Sequence, residues 1–155
     1  MKNQIGLNAE KAQELSEKLN DLLANYQMFY QNLRGFHWNI KGKEFFELHV
    51  KFEEYYDDAV IKIDEIAERI LTLGGTPLHD FASYIDKSEI ASDTGKTDGV
   101  EMVRTVVENL SVLISKERQI LELAGDADDE GTNSLMSDYI TETEMTLWML
   151  NAYIA

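Results

Sequence analysis

The sequence predicts an all-α protein, a bundle of four long helices with one short helix in the connection between the second and the third. Apolar residues recur at helical spacing in four long stretches, and glycine, proline or polar segments separate these stretches. The chain has 155 residues, of which 44% are hydrophobic, which is enough for one sizeable packed core. We therefore expect a single domain over residues 1–155.

The first two long helices are predicted from the N-terminal half of the chain. The first covers residues 9–38, where apolar residues recur every three or four positions, and Asn8 is its expected N-cap. A short polar connection over 39–43 leads to the second helix, over 44–73. The sequence Gly-Gly-Thr-Pro at 74–77 then ends this helix, because glycine and proline interrupt helical structure.

The third and fourth long helices follow a long crossover. Residues 78–96 have helix-like apolar spacing only around 81–85, so they predict a connection that contains one short helix. A crossover of this length joins two helices that run side by side in the same direction. The third long helix is predicted over 97–124 and the fourth over 129–153, with an acidic linker over 125–128.

Composition restricts the partners of this chain. Asp and Glu number 29 against 14 Lys and Arg, and the formal charge of −15 repels nucleic acid and concentrates cations. There is no cysteine, so any metal site must use oxygen and nitrogen ligands. The polar N-terminus does not resemble a signal peptide, and no stretch has the apolar length of a membrane span. We expect a cytoplasmic protein with no membrane partner.

The second helix divides into three sectors at about 100° per residue. One sector is apolar and predicts the bundle core: Phe52, Tyr55, Ala59, Ile63, Ile66 and Ile70. The opposite sector alternates in charge and predicts a solvent-exposed face with ion pairs one turn apart: Lys51, Glu54, Asp58, Lys62, Glu65 and Arg69. The third sector is acidic with one imidazole: His49, Glu53, Asp57, Asp64 and Glu68.

The acidic sector predicts a metal site shared between two subunits. Carboxylates one turn apart repel each other, so a cation is expected there, and carboxylates with imidazole suit iron, manganese or zinc. His49 and Asp64 lie about 22 Å apart along the helix and cannot hold the same ion. If the helix packs antiparallel against its own copy near Asp57, His49 faces Asp64 and Glu68 of the other chain. His37 becomes a neighbour of His49 in the hairpin of the first two helices.

Three segments also resemble the signature of the Dps family of miniferritins. They are Asn-Leu-Arg-Gly-Phe-His-Trp-Asn at 32–39, Phe-Phe-Glu-Leu-His at 45–49, and Asp-Glu-Ile-Ala-Glu-Arg-Ile at 64–70, with Leu-Gly-Gly at 73–75; Leu147-Trp148 adds a weaker match. The resemblance implies a ferritin-like fold and a hollow homododecamer of tetrahedral symmetry. It also implies a ferroxidase that oxidises ferrous iron, preferably with hydrogen peroxide, and stores the ferric product against oxidative stress.

The resemblance also implies which residues form the two-iron site across the two-fold interface. His37, His49, Asp64 and Glu68 are the expected catalytic metal ligands. Glu53 is an additional candidate ligand, because it stands where many members of the family carry aspartate. Trp38 lies next to His37 in the sequence and is either an oxidisable ring near the metals or an ordinary core or interface aromatic. His79 is expected to be a structural or surface residue.

Two other functions are alternatives to a ferroxidase cage. A di-iron enzyme with its site inside one bundle uses Glu-x-x-His motifs, and no histidine of this chain has glutamate three residues before it. The remaining alternative is a non-catalytic protein that compacts DNA or binds helical partners. Residues 1–18 contain only three lysines, offset by glutamates, so direct DNA binding is not expected.

Acidic residues also cluster where the fourth helix begins: Asp126, Asp128, Asp129 and Glu130, with Asp138 further along. By the resemblance, carboxylates of this region line pores at a three-fold axis through which iron passes, although Ser134 occupies one position where such a carboxylate is expected. The alternative is an acidic first turn that complements the helix dipole. Both interpretations remain open from the sequence.

Overall fold

The computed structural model describes all of residues 1–155 and confirms the predicted bundle. It contains four long helices and one short one, in the order α1 (Ala9–Asn39), α2 (Phe45–Thr72), α3 (Phe81–Lys87), α4 (Gly99–Asp126) and α5 (Glu130–Ile154). The short helix α3 lies in the crossover between α2 and α4, as predicted. None of these helices combines the length and the apolar character needed to cross a membrane.

Polar side chains fix where the helices begin. The Asn8 side chain accepts a hydrogen bond from the Lys11 backbone N–H at 3.0 Å, which confirms the predicted N-cap of α1. Helix α4 begins two residues later than predicted because Asp98 caps it, accepting from the Glu101 N–H at 3.0 Å. The same helix continues through the predicted linker as far as Asp126, so only three residues separate it from α5.

Contacts between helices establish their directions. Tyr26 of α1 bonds to Glu117 of α4, whereas Asn32 further along α1 bonds to Asn109 earlier in α4, so these helices are antiparallel. Helices α2 and α5 are also antiparallel, because Lys62 pairs with Glu142 and Arg69 pairs with Asp129. Since α1 and α2 form a hairpin, α2 and α4 run in the same direction, as the crossover predicted.

Four of the six residues predicted for the apolar sector of α2 lie in the core, and Tyr55 and Ile63 pack against it while partly buried. Phe52, Ile66 and Ile70 have no solvent-exposed surface, and Ala59 is almost fully buried. They pack against leucines of α1 and apolar residues of α4 and α5 in one hydrophobic cluster that includes Leu19, Leu22, Leu33, Met102, Leu113, Ile120 and Met136. Burying this continuous apolar surface stabilises the bundle and fixes α1 and α2 side by side.

The prediction of a solvent-exposed charged face on α2 was wrong for two residues. Lys62 is 5% exposed, and its ammonium pairs with Asp58 on its own helix and with Glu142 of α5 at 2.8 Å. The Arg69 guanidinium bonds to Asp129 at 2.8 Å and to Thr132 at 2.9 Å, and lies against Gly131, where a Cβ atom would be only 2.7 Å from it. These two long side chains of the sector therefore reach partners at α5, Lys62 the exposed Glu142 and Arg69 the buried Asp129.

Candidate metal centre

His37 and His49 are neighbours, as the sequence predicted. His37 lies in the last turn of α1 and His49 in the second turn of α2, and the short connection between these helices brings them side by side. Their imidazole rings stack with centroids 3.8 Å apart and planes inclined by 11°. The Phe45 ring stacks on the other face of His49 at 4.8 Å, so the pair is held between aromatic side chains.

Reciprocal hydrogen bonds fix the orientation of both rings. Nδ1 of His37 lies 2.5 Å from the backbone oxygen of His49, and Nδ1 of His49 lies 2.7 Å from the backbone oxygen of His37. A carbonyl oxygen can only accept, so each Nδ1 must carry the proton. In the neutral rings both Nε2 atoms keep their lone pairs, which is the tautomer that binds a metal through Nε2.

Glu53 extends this pair. It lies one turn after His49 on α2, and its Oε1 is 3.5 Å from Nε2 of His37. The Glu53 side chain is 52% exposed, whereas His37 is buried, so the carboxylate closes the solvent side of the imidazole. A carboxylate and an imidazole nitrogen therefore face the same small region, with ligand chemistry that suits a divalent metal ion.

One chain does not complete a metal site. No three His, Asp or Glu side chains converge closely enough to hold a metal ion. Asp64 and Glu68 are exposed, and they lie on the same uninterrupted helix as His49, with Asp64 about 22 Å away along its axis. The structure thus places His37 next to both His49 and Glu53, and leaves Asp64 and Glu68 apart from them.

The exposed face of α2 is apolar as well as acidic, which the sequence analysis missed. Phe46 is 83% exposed and Leu71 is 59% exposed, and Val50, Val60 and Ile61 are also largely exposed on this side of the helix. Exposed aliphatic and aromatic side chains on a helix face are typical of a protein interface. They could have been found from the sequence, because they fall within or beside the sector that carries the carboxylates.

Residues on the exposed face of α2 are placed symmetrically about one point of the helix, which favours pairing of α2 with its own copy. His49 and Glu68 are equally far from a point between Asp58 and Ala59, and so are Glu53 and Asp64. The two most distant exposed apolar residues, Phe46 and Leu71, are related by the same point. An antiparallel pairing of α2 with its own copy about this point would place members of each pair opposite each other.

A second polar cluster, also missed from the sequence, lies inside the bundle. Glu117 of α4 is fully buried, where it accepts a hydrogen bond from Tyr26 at 2.6 Å and lies 3.1 Å from the Thr143 hydroxyl. Burial raises the pKa of Glu117 to about 7, although these hydrogen bonds and the nearby Lys62 ammonium lower it. For Lys62, the ion pairs with Asp58 and Glu142 outweigh the effect of burial and raise its pKa.

The acidic turn before α5 has two kinds of residue. Asp129 is 2% exposed, caps α5 by accepting from the Thr132 N–H at 3.0 Å, and pairs with Arg69. It therefore holds helices together and does not face solvent, which corrects its inclusion among candidate pore residues. Asp126, Asp128, Glu130 and Asp138 are exposed, as is Ser134.

Trp38 and His79 lie outside the histidine pair. The Trp38 ring is 57% exposed and lies beneath the guanidinium of Arg34, whose Cζ is 4.8 Å from the ring centroid. His79 is exposed and its Nδ1 lies 2.9 Å from the Pro77 oxygen, consistent with the surface position expected for it. The ring that packs edge-on against His37 is instead Tyr56, at 5.4 Å.

Comparison with known proteins identifies the family. Residues 16–155 match the ferritin-like domain family. A DNA protection during starvation protein (Dps) from Porphyromonas gingivalis is 43% identical over 148 residues, which are 96% of this chain and 93% of the relative. This chain belongs to the Dps family.

Solved Dps structures have the same fold. Dps from Vibrio cholerae O1 superposes with a TM-score of 0.98 at 54% identity, covering 99% of this chain and 97% of that one. That protein is described as a member of a broad superfamily of ferritin-like diiron-carboxylate proteins. Dps from Bacillus brevis superposes with a TM-score of 0.91 at 36% identity, covering 94% and 98% of the two chains.

Proposed function

We propose that this Dps chain is a ferroxidase that oxidises ferrous iron with hydrogen peroxide at a two-iron site shared between two subunits, and that it stores the ferric product inside a homododecameric cage. The arrangement of the two histidines carries the proposal. Both Nε2 atoms are available as ligands, and that of His37 lies beside Glu53, yet the same chain supplies no further ligand there. The carboxylates needed to complete the site must come from another subunit.

The symmetric face of α2 indicates how a second subunit supplies them. In the antiparallel pairing about the point between Asp58 and Ala59, Glu68 of one chain lies opposite His49 of the other, and Asp64 lies opposite Glu53. The same pairing covers Phe46 with Leu71 at both ends of the interface, so that apolar burial stabilises the contact. Two equivalent sites result for each pair of subunits.

The ligands proposed for the site suit iron oxidation. His37, His49, Glu53, Asp64 and Glu68 supply oxygen and nitrogen donors, and negative carboxylates favour ferric over ferrous iron electrostatically. Two ferrous ions give one electron each to hydrogen peroxide, which becomes two hydroxide ions while two ferric ions form. Because both electrons are delivered at one site, the O–O bond breaks without releasing hydroxyl radical.

The names of the relatives refer to DNA protection. In this proposal the protection is chemical, since the cage removes ferrous iron and peroxide together, and it does not require contact with DNA. The chain charge of −15 favours this route over direct binding. A native mass close to twelve times the 17.7 kDa of the chain would support the dodecamer, and a dimer mass would overturn it.

Mixing two defective chains tests the shared site. Particles made only of His49→Ala chains, or only of Glu68→Ala chains, should contain no intact site. In an equal mixture, each mixed pair regains one intact site from the undamaged histidine of one chain and the undamaged carboxylates of the other. About a quarter of all sites should therefore recover, measured as zinc stoichiometry and as initial ferrous oxidation rate.

The matched control mixes His37→Ala with His49→Ala chains. Both defects lie in the histidine half of the site, so no combination of these two chains makes an intact site. If the His49→Ala and Glu68→Ala mixture recovers no more than this control, while successive affinity capture of two differently tagged chains shows mixed particles, each site belongs to one chain. If unmodified particles bind zinc at the site but do not oxidise iron, the non-catalytic alternative is favoured instead.

A further inference from the structure

A series of aromatic contacts leads from the histidine pair into the α1–α2 interface. The Tyr56 ring packs edge-on against His37 with centroids 5.4 Å apart and an angle of 82°. On its other side, Tyr56 packs edge-on against Tyr30 at 5.9 Å and 87°. Tyr56 is half-buried and is the tyrosine in direct ring contact with the proposed ligands.

The charges near each aromatic ring in this series of contacts differ, and so does the ease of oxidising the ring. The Arg34 guanidinium lies over two of them, with Cζ 5.4 Å from the Tyr30 centroid and 4.8 Å from the Trp38 centroid. A cation over an aromatic face is attracted to the electron density of the ring. Removing an electron from that ring loses this attraction and adds repulsion between the cation and the oxidised ring. Tyr30 and Trp38 are therefore the rings that are harder to oxidise.

Tyr56 has more negative surroundings than these two rings. Glu53 precedes it by one helical turn on α2 and Asp57 follows it directly, so two negative charges act on the phenol against the single positive charge of Arg34. Negative neighbours favour the loss of an electron from a ring and provide acceptors for the phenolic proton. Among the aromatic side chains near the site, Tyr56 combines contact with a proposed ligand and a negative environment.

We propose that Tyr56 supplies the second electron to hydrogen peroxide when only one ferrous ion occupies the shared site. This inference rests on the proposed function and extends it to the half-loaded site. The O–O bond breaks as one ferrous ion gives one electron and Tyr56 gives one electron and its phenolic proton. The products are one ferric ion, one hydroxide ion, one water molecule and a neutral tyrosyl radical.

The step has a protective consequence. With a single ferrous ion and no other electron donor, peroxide cleavage yields one ferric ion, one hydroxide and a free hydroxyl radical. With Tyr56 as donor, the oxidising equivalent stays on a half-buried ring between two helices. A subsequent ferrous ion can reduce the radical back to tyrosine, taking up one proton from water and leaving a second ferric ion.

Replacing Tyr56 with phenylalanine tests this step. Assembled particles receive one ferrous ion per site and then one equivalent of peroxide, and freeze-quench electron paramagnetic resonance and a spin trap measure the products. The parent should give a tyrosyl signal and little hydroxyl adduct. Tyr56→Phe should lose most of the signal and release several-fold more adduct, because phenylalanine keeps the ring packing without the oxidisable hydroxyl.

The matched control is Tyr55→Phe, because Tyr55 is the adjacent, half-buried tyrosine and its ring contacts Lys51 at 5.9 Å, away from the histidines. It should behave like the parent. Equal signal and adduct yield in Tyr56→Phe and the parent would overturn the proposal, and so would loss of the signal in Trp38→Phe. In parent particles containing ring-deuterated tyrosine, the hyperfine splitting must narrow; an unchanged spectrum assigns the radical to another residue.

Loading two ferrous ions per site separates this inference from the proposed function. If the parent then fails to consume one peroxide for every two ferrous ions, the proposed function itself fails. If the parent shows this ratio but Tyr56→Phe gives the parental radical yield at one ion per site, only the role of Tyr56 is wrong.

Discussion

A Glu117→Gln substitution is expected to make the bundle more stable than the parent above neutral pH and about equally stable in weak acid. Glutamine has the shape of the protonated glutamic acid. Its amide oxygen can accept from Tyr26, and its amide nitrogen can donate to the Thr143 hydroxyl, which lies 2.7 Å from the Tyr139 carbonyl and can direct its own proton there. The variant therefore keeps the hydrogen bonds of the neutral acid and cannot ionise.

The magnitude follows from the pKa of Glu117, which burial raises from 4.5 to about 7 in the folded protein. Below pH 4.5 the group is protonated in both folded and unfolded chains, so its contribution to stability is fully present. As the pH rises from 4.5 through 7, the unfolded chain ionises first and the folded state must finally hold a buried carboxylate, so this contribution is lost progressively. A tenfold change in proton affinity corresponds to about 1.4 kcal/mol. Above about pH 8 the ionised Glu117 therefore lowers the free energy of unfolding of the parent by about 3 kcal/mol.

Urea unfolding monitored by circular dichroism measures this effect. Parent and variant must be compared at the same protein concentration, because assembly contributes to apparent stability. The difference in unfolding free energy should rise by about 3 kcal/mol in favour of the variant between about pH 4 and about pH 8. Glu122→Gln, at an exposed position of the same helix, should show a difference within about 0.5 kcal/mol throughout. A Glu117→Gln difference that does not change with pH would refute the reasoning.

Three further predictions concern the acidic turn and DNA. Glu130→Gln with Asp138→Asn should lower the initial iron oxidation rate at low ferrous concentration and weaken its salt dependence, without changing the number of zinc sites, because exposed carboxylates concentrate cations; a parental rate and salt dependence would place the route of iron elsewhere. Asp129→Asn should instead destabilise the fold by about 1–3 kcal/mol in urea unfolding, since it removes the charge that pairs with Arg69, and a stability equal to the parent would contradict its structural role. No duplex DNA should shift in a gel at physiological salt with chelator present; tight binding there would refute the charge argument, and binding only after addition of a divalent metal would indicate bridging.

Local sequence patterns were sufficient for the helices and for the histidine half of the proposed site. Helical periodicity, the Asn8 cap and the glycines after α2 determined the elements to within a few residues, because these signals depend on neighbours along the chain. The short connection between α1 and α2 made His37 and His49 neighbours for the same reason. The distance of Asp64 from His49 also followed from helix geometry alone, which predicted a shared site that the mixing experiment still has to test.

The sequence by itself therefore determined the helices, the family resemblance and the candidate ligands, whereas only the tertiary structure decided which charged residues are buried. Lys62, Arg69, Glu117 and Asp129 belong to patterns that are typical of solvent-exposed helix faces and caps, yet each is enclosed or paired by a helix distant in the sequence. The packing of α2 and α4 against α5 and α1 removes water from these groups and supplies their partners. Burial and pairing depend on residues that are close in space and far apart in the chain, so periodicity along one helix cannot reveal them.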